Sequence, residues 1–293
     1  RMRWRSGRQS NNVEDYRGSN RNGGGPGGFR IGLIGTAAIV LIGWYMGANP
    51  LQLIGLVGGA NTLLGGIGGS ETTSTTPQGG ALSDDGGKFV SVVLGTTEDV
   101  WNPLFQQMGK RYQEPKLALF EGEIDSACGF STAASGPFYC PGDNKVYIDL
   151  SFFRELKALG ASGEFAQAYV LGHEVGHHVQ NLLGITDEVS RLQARMSQRD
   201  GNALSVALEL QADCYAGVWA HHANQTSVQL DSNDIEDAVK AAASIGDDRL
   251  QGMSGKRVNP DSFTHGSSRQ RMEWFQRGVQ SGDMRQCDTF KNS

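Results

Sequence analysis

One short stretch, which carries the pattern H-E-x-x-H, constrains this chain more than any other. His173 and His177 bound the pattern, and Glu174 follows the first histidine. Because successive residues of an α-helix are rotated by about 100°, the two histidines would stand one turn apart on one face. Two imidazoles so placed can bind one tetrahedral Zn²⁺, and Glu174 can take a proton from water that the metal activates. The stretch therefore predicts a catalytic zinc site.

The residues around this pattern favour a helix with one buried side over a chance occurrence. Small and apolar residues recur at three- and four-residue steps, and no proline interrupts residues 164–183. They are Phe165, Ala168, Tyr169, Gly172, Val175, Gly176, Val179 and Leu183. The competing interpretation is a pair of core histidines that are satisfied by hydrogen bonds. His178 points about 100° away from His177, so we expect it at the surface or behind the metal ligands.

A second apolar segment supplies two carboxylates. Residues 203–220 are nearly all small or apolar, yet they include Glu209 and Asp213 one helical turn apart. A divalent cation removes the cost of burying an unpaired carboxylate. We predict that Glu209 is the third zinc ligand and that Asp213 accepts the N–H of a ligating histidine. The alternatives are acids that face solvent or an arginine, an exchange of the two roles, or a ligand from His221 or His222.

One further histidine is a candidate for catalysis. His265 precedes a last predicted helix and could donate a hydrogen bond to the oxyanion that develops on a substrate carbonyl. Tyr215 is a weaker candidate for this role, and an ordinary loop histidine is the alternative. A third zinc-binding histidine in the extended pattern H-E-x-x-H-x-x-G-x-x-H is excluded, because Gln180 and Leu183 occupy the required positions.

The N-terminal third predicts a membrane anchor. Residues 1–30 hold seven arginines and two acidic residues, so their charge is 7 − 2 = +5, and the chain's net charge of -5 leaves -10 for the rest. This arginine-, asparagine- and glycine-rich part predicts a disordered basic cytoplasmic tail. Residues 31–48 are uncharged, long enough to cross a bilayer, and by the positive-inside rule the chain after them lies outside. A cleaved signal peptide and a buried core helix are the alternatives.

The remaining chain divides into a linker and a folded domain. Residues 49–87 predict a Gly/Ser/Thr-rich linker, in which the apolar residues 51–68 lie on the membrane surface or simply extend the linker. Residues 88–293 form the predicted domain, a mostly helical α+β fold with a small sheet. Its predicted strands are residues 89–94, 117–120 and 145–150. The third strand borders the cleft and pairs with substrate, or is an ordinary sheet strand.

The chain contains an even number of cysteines, whose spacing suits disulfides better than zinc. They are Cys128, Cys140, Cys214 and Cys287. Disulfides indicate an oxidising compartment. Four cysteines allow three pairings, which spacing does not decide. Four free buried thiols in a cytosolic protein are the alternative.

These motifs together resemble a known family. Over essentially its whole length, the chain is similar to the neutral zinc metallopeptidase family, whose members are bacterial membrane-anchored proteins. This family is often called YpfJ-like. The stretches that carry the resemblance are Met2-Arg3-Trp4-Arg5, Asn12-Val13-Glu14-Asp15, Gly172 to His178, Glu209 to Cys214, and His265-Gly266-Ser267-Ser268.

The layout is more distantly similar to the gluzincin-type membrane proteases, which include the CAAX prenyl proteases. Glu209, Ala212 and Asp213 match their E-x-x-A-D pattern, and Thr264, His265 and Arg271 match T-H-P-x-x-x-x-R except for Gly266 in place of proline. The resemblance implies a zincin-like fold of the minigluzincin type. It also implies that Arg271 braces Asp213 or the active-site loop.

The sequence thus predicts a zinc-dependent metallo-endopeptidase with one Zn²⁺ per chain and a peptide or protein substrate. It would be an inner-membrane protein with a single crossing, a cytoplasmic N-terminus and a periplasmic catalytic domain. The alternative is a zinc-stabilised binding or scaffold module without turnover, although structural zinc sites have four protein ligands and this chain offers three and a base. We expect no nucleic-acid partner, because the arginines of residues 1–30 orient the anchor; a basic tail that binds nucleic acid or anionic lipid is the alternative. The oligomeric state is open.

Overall fold

This computed structural model describes residues 1–18, 77, 82–133, 136–161, 163–226, 228–246 and 263–291. Six strands, seven α-helices and a short 3-10 helix (Met284–Gln286) lie within them. The strands are β1 (Val13–Asp15), β2 (Lys116–Leu119), β3 (Glu123–Ser126), β4 (Gly129–Thr132), β5 (Phe138–Cys140) and β6 (Lys145–Ile148). The helices are α1 (Asp85–Gln107), α2 (Phe152–Ala158), α3 (Glu164–Leu182), α4 (Ile185–Gln193), α5 (Gln198–Ala223), α6 (Ser232–Ser244) and α7 (Ser268–Ser281). The predicted α+β class, mostly helical with a small sheet, is confirmed.

Four strands form a mixed sheet in the order β1-β2-β6-β5, and β3 and β4 form a separate hairpin. The pairs β1–β2 and β2–β6 are parallel, whereas β5 runs antiparallel to β6 at the end of the sheet. The strand predicted to border the cleft is β6, which has a strand on each side. Its backbone groups pair with β2 and β5, so the alternative of an ordinary sheet strand is the one observed. Among the described strands, β1 and β5 form the two edges of this sheet.

The N-terminal segment belongs to the folded domain. Residues 1–17 fall in one compact unit with the chain from residue 77 onward. Their strand β1 extends the sheet, and Trp4 is only 7% exposed, with its ring edge-on to that of Phe89 at 5.2 Å between centroids. The prediction of a disordered tail over residues 1–30 is therefore wrong for residues 1–17. Backbone pairing and a few buried apolar side chains hold a segment that is polar on average.

Described N-terminal arginines pair with acidic residues of the domain. Arg8 contacts Glu98 at 3.0 Å, and Glu98 is only 2% exposed and also accepts a hydrogen bond from Ser10 at 2.7 Å. Arg17 contacts Asp84 at 2.8 Å. Arg8 and Arg17 thus pair within one domain, and Arg8 supplies the cationic partner that the buried carboxylate of Glu98 requires.

The N-terminal segment and the predicted catalytic domain share one fold. Residues 1–17 contribute a strand to the sheet and side chains to the core that residues 82–291 form. The single crossing, with a cytoplasmic N-terminus and the domain outside, stays a prediction. Residues 31–48 and 51–68 lie outside the described residues. Among the helices that are described, none is both long and apolar enough to cross a bilayer.

The first helix replaces a predicted strand. Residues 89–94 lie within α1, which begins at Asp85 after the capping residue Asp84, slightly before the predicted domain start at residue 88. The segment is buried at every position from Phe89 to Glu98. A helix that is surrounded on all sides shows no 3.6-residue period, so its short apolar run resembles a buried strand.

Glycines let the three central helices approach closely. A Cβ atom on Gly176 of α3 would lie 2.8 Å from the Ala212 carbonyl oxygen of α5, and one on Gly172 would lie 2.6 Å from the Trp219 ring. At the crossing of α5 and α7, a Cβ atom on Gly278 would lie 2.0 Å from the Cys214 carbonyl oxygen. Only residues without a side chain allow these backbones to touch, so the glycines fix how α5 lies across α3.

Both cysteine pairs form disulfides. Cys128 in the β3–β4 turn is bonded to Cys140 at the end of β5, and Cys214 of α5 is bonded to Cys287 in the C-terminal segment. The prediction that the cysteines are disulfide-bonded is confirmed. One bond fixes the end of the edge strand, and the other fixes the segment after α7 against α5.

We expect Trp4→Ala to lower the free energy of unfolding by about 3 kcal/mol or more, because it removes a buried aromatic side chain. Urea denaturation at a fixed zinc concentration measures this. Arg3→Ala is the control, since Arg3 is exposed and its backbone makes the hydrogen bonds to Gln229. A Trp4→Ala variant as stable as the control would contradict the packed N-terminal segment.

Candidate metal centre

Three predicted ligands converge where α3 and α5 cross. His173 and His177 project from α3, and Glu209 projects from α5. The Nε2 atom of His173 lies 2.9 Å from Glu209 Oε2, and that of His177 lies 3.1 Å from Glu209 Oε1. One donor atom from each residue lies within 4.8 Å of the other two. The arrangement gathers two nitrogens and a carboxylate around one point.

The donor set fits a zinc ion. At bond lengths of about 2.0–2.1 Å and tetrahedral angles, ligand atoms lie about 3.4 Å apart, close to the separations seen here. Within the described residues, this is the one cluster of three or more histidine, cysteine or acidic side chains with such spacing, and it has three members. Three protein ligands leave a fourth position for water, as in catalytic rather than structural zinc sites.

A buried chain of hydrogen bonds orients His173. Its Nδ1 atom lies 2.8 Å from Asp213 Oδ1. Asp213 is fully buried and also accepts hydrogen bonds from Arg271 Nε at 2.8 Å and from the Tyr169 hydroxyl. Because Asp213 can only accept, Nδ1 carries the proton and Nε2 keeps its lone pair for the metal. The structure thus brings Asp213 and Arg271 to the places that sequence reasoning gave them, whereas Tyr169 was missed in this role.

His177 is oriented by a residue whose role the sequence analysis missed. Gln180 accepts a hydrogen bond from His177 Nδ1 at 2.8 Å, which leaves His177 Nε2 facing Glu209. The Gln180 amide nitrogen donates to the Leu208 carbonyl oxygen at 2.7 Å, one residue before Glu209. Gln180 therefore ties one ligand to the backbone beside another. Its position three residues after His177 on the same helix was the available signal.

The pKa shifts in the cluster show that its carboxylates favour a positive charge between them. Burial would raise the pKa of Glu209, but attraction to His177 and hydrogen bonds from both histidines hold it well below its usual value. Burial also disfavours a charged His173, yet Asp213 and Glu209 raise its pKa to about 10. Two carboxylates thus hold positive charge between them. A divalent cation held by Glu209 and His173 Nε2 would replace that proton as the positive charge, while Asp213 would keep the Nδ1 proton.

Glu174 lies beside the cluster on the wall of a cleft of about 630 Å³, which the three predicted ligands also line. It is 8% exposed, and burial raises its pKa, although His173 and His177 oppose that change. A raised pKa suits a carboxylate that must accept and return a proton near neutral pH. This position is the one expected of a general base.

Of the two candidates for contact with the oxyanion, His265 lies at the cleft and Tyr215 does not. His265 lines the cleft and is exposed, with its Nδ1 atom 2.9 Å from the Thr264 hydroxyl. Tyr215 instead lies in the core with its ring edge-on to that of Trp101, outside the cleft lining. The prediction that Tyr215 contacts an oxyanion is therefore wrong.

The alternative ligands at the end of α5 also lie elsewhere. His221 Nδ1 lies 2.6 Å from the Val279 carbonyl oxygen, and His222 Nε2 lies 2.9 Å from that of Gly282. Both therefore donate to the end of α7 and its following residue. Neither belongs to the metal cluster.

His178 joins the metal helix to the edge strand. It is fully buried, with Nε2 2.6 Å from the Gln113 carbonyl oxygen and Nδ1 2.7 Å from the Tyr139 hydroxyl on β5. Since a carbonyl only accepts, Nε2 carries the proton and Tyr139 donates to Nδ1. The Tyr139 hydroxyl also accepts from Asn181 at 3.0 Å. His178 thus lies behind α3 and not at the surface, and it sets the distance between the metal cluster and β5.

Comparison with known proteins assigns the family. A family model described as "Putative neutral zinc metallopeptidase" matches residues 2–290. The chain belongs to this family. The family resemblance inferred from the motifs is thereby confirmed, and it extends the zinc peptidase assignment over the N-terminal segment as well as the metal cluster.

Two relatives show how far the similarity extends. "Uncharacterized protein YpfJ" of Escherichia coli (strain K12) is 49% identical over 300 residues, which span 100% of each chain. "Uncharacterized protein Rv2575" of Mycobacterium tuberculosis (strain ATCC 25618 / H37Rv) is 42% identical over 221 residues, or 70% of this chain and 72% of that protein. No solved structure matches the chain significantly.

We expect Gln180→Met to weaken zinc binding by about ten- to a hundredfold, because His177 loses the acceptor that fixes its ring. Competition with a coloured zinc chelator measures the affinity. Gln193→Met is the matched control, since Gln193 bonds the Gly201 carbonyl oxygen and the Ser205 hydroxyl away from the cluster. Equal zinc affinity in the two variants would exclude the role given to Gln180.

A second prediction concerns pH. Burial lowers the pKa of His178 to about 4, although its hydrogen bond to Gln113 opposes this. The unfolded chain binds a proton there below its ordinary pKa of about 6.5, whereas the folded chain does not until about 4. Stability therefore falls as the pH decreases from 6.5 to 4, by about 3 kcal/mol from this residue.

Denaturation of zinc-free protein across that range tests this pH dependence. His178→Gln, which keeps one donor and one acceptor, should show a shallower loss of stability than the unmodified chain. Identical pH profiles for the two proteins would show that His178 does not titrate in this way.

Proposed function

We propose that this chain is a zinc-dependent metallo-endopeptidase with a zincin-like fold of the minigluzincin type. The observation that carries the proposal is the meeting of His173, His177 and Glu209 at an open cleft, with Glu174 beside them. A zinc ion held there would supply positive charge that acidifies a water and polarises the scissile carbonyl. Membership of the zinc metallopeptidase family supports the reaction class.

The residues of this chain have separate tasks in peptide hydrolysis. Glu174 accepts the proton of the attacking water and passes it to the leaving amine. Asp213 and Gln180 keep the Nδ1 protons of the two ligating histidines in place, so both Nε2 atoms face the same point. We assign His265 as the donor to the oxyanion, since it lines the same cleft.

The edge strand offers a place for an extended peptide. Among the described strands β5 has β6 as its one neighbour, and residues 136–139 of this strand and its approach line the cleft. A substrate chain can add to such an edge through backbone hydrogen bonds. The His178–Tyr139 contact holds β5 beside the metal helix, which would bring the bound backbone near the zinc ligands.

Membrane attachment through residues 31–48 remains a proposal from the sequence. Because residues 1–17 and 82–291 form one folded unit, we propose that both lie on the same side of the membrane. Arg8 and Arg17 pair with carboxylates of the domain, so their charge is neutralised there and does not set the orientation of a membrane segment. The two disulfides support a domain in an oxidising, extracytoplasmic compartment, and the N-terminus would lie there with it.

The roles of the cleft residues are separable by mutation. Glu174→Gln should keep bound zinc and lower peptide cleavage by about a hundredfold or more, because it removes the base alone. Glu209→Ala and His173→Ala should lose the metal as well. Glu188→Gln, on the exposed face of α4, is the control. Zinc is measured by plasma mass spectrometry and cleavage by mass spectrometry of a mixed peptide library.

Two outcomes would count against this assignment. A Glu174→Gln variant that cleaves peptides at the control rate would reject the assigned base. Zinc-loaded protein that binds the metal tightly and cleaves no peptide would instead favour a zinc-stabilised scaffold module.

This proposed topology is testable in cells. Epitope tags placed at the two ends of the full chain should be digested together or protected together when protease is added to spheroplasts, because both ends belong to one folded unit. A periplasmic reporter and a cytoplasmic reporter serve as controls. Digestion of one tag with protection of the other would contradict the packing of the N-terminal segment.

A further inference from the structure

The cleft that the metal cluster lines also has apolar wall residues on α2 and before β5. Phe152 of α2, Leu159 at the end of that helix and Pro137 before β5 line it, together with Val170 of α3. The Phe152 ring lies against the start of β5, since a Cβ atom on Gly136 would be 3.4 Å from it. We name this region, formed by Phe152, Leu159, Pro137 and Val170, the α2–β5 pocket.

The pocket adjoins the reacting groups. Val170 precedes Glu174 by four residues on α3, so the two side chains lie one turn apart on the same face of that helix. A peptide that lies along β5 with its scissile bond near Glu174 would therefore pass a side chain over Val170. The side chain next to the bond would meet Phe152 and Leu159, which are half-buried and keep part of their apolar surface exposed.

Among the described residues, the acidic and basic side chains that line the cleft belong to the metal centre or contact the residues that orient its ligands. Glu174, Glu209 and Arg271 are the Asp, Glu, Lys and Arg residues that line it within the described part of the chain. Arg271 is only 3% exposed, and two of its nitrogens contact Asp213 at 2.8 and 3.1 Å. A charged substrate side chain would thus lose hydration in the α2–β5 pocket without gaining a counter-charge.

We propose that the α2–β5 pocket takes a bulky, uncharged apolar side chain, and that the enzyme cleaves peptides next to such a residue. This inference rests on the proposed peptidase function and deepens it by naming the substrate class. Burial of an apolar side chain against four apolar residues favours binding, whereas the same site disfavours a carboxylate or an ammonium group.

Binding of dipeptide hydroxamates to the full-length, zinc-loaded protein tests the pocket without any need for turnover. The hydroxamate anchors each probe at the metal, and the probes differ only in one side chain: Leu, Phe, Asp or Lys. Isothermal titration should show Leu and Phe probes binding at least about tenfold more tightly than Asp and Lys probes. Affinities within about twofold for all four probes would overturn the proposal.

Two variants locate the preference. Leu159→Lys places a positive charge at the rim and should make the Asp probe bind at least about fivefold more tightly than the Lys probe. Phe152→Ala should weaken the Phe probe by a similar factor. Leu192→Lys is the control, because Leu192 is 40% exposed on α4 and lies outside the cleft lining. A change of the same size in the Leu192→Lys control would also contradict the proposal.

Cleavage separates this inference from the function on which it rests. A protein that prefers the apolar probes but cleaves no peptide would support the pocket and reject the peptidase. A protein that cleaves equally well beside Asp, Lys, Leu and Phe would support the peptidase and overturn the pocket. Preferential cleavage beside Leu and Phe would support both.

Discussion

The close approach of α3 and α5 is the constraint on which the metal site depends. Gly176 lies directly against the backbone of Ala212, and Gly172 lies against the ring of Trp219. Side chains at these positions would separate the helices, and Glu209 would no longer reach both imidazoles. The glycine within H-E-x-x-H therefore contributes to the chemistry through packing, since it sets the distance between the histidine helix and the carboxylate helix.

A buried charge network stabilises this crossing once it has formed. Asp213 is fully buried, which is tolerable because Arg271, Tyr169 and His173 all contact its carboxylate. Burial would raise the pKa of Asp213, but attraction to Arg271 and His173 keeps it low. The network joins α3, α5 and α7. The same contacts therefore orient the ligand His173 and hold the core helices together. Gln180 orients the ligand His177 and also links α3 to the backbone of α5.

The candidate site was largely predictable because helical spacing is local. Four-residue steps place His173 with His177 and Glu209 with Asp213, and the cost of buried acids implies that the two pairs meet. The N-terminal segment was not predictable in this way. Strand β1 pairs with β2 across about a hundred residues of chain, and average composition does not reveal such a contact. Residues 89–94 were wrongly predicted as a strand, because a helix that is buried on all sides has no polar face and so lacks the helical period.

Three protein side chains are expected to bind one zinc ion and to leave a position open. X-ray absorption spectroscopy of the zinc-loaded full chain, with the metal content of the same sample, measures this. We expect one zinc per chain, two imidazoles, one carboxylate and a light-atom ligand from solvent, at about 2.0–2.2 Å and without sulfur. Loss of this zinc spectrum in Glu209→Ala would confirm that Glu209 is the third protein ligand. A zinc ion with four protein ligands, or a spectrum unchanged in Glu209→Ala, would contradict it.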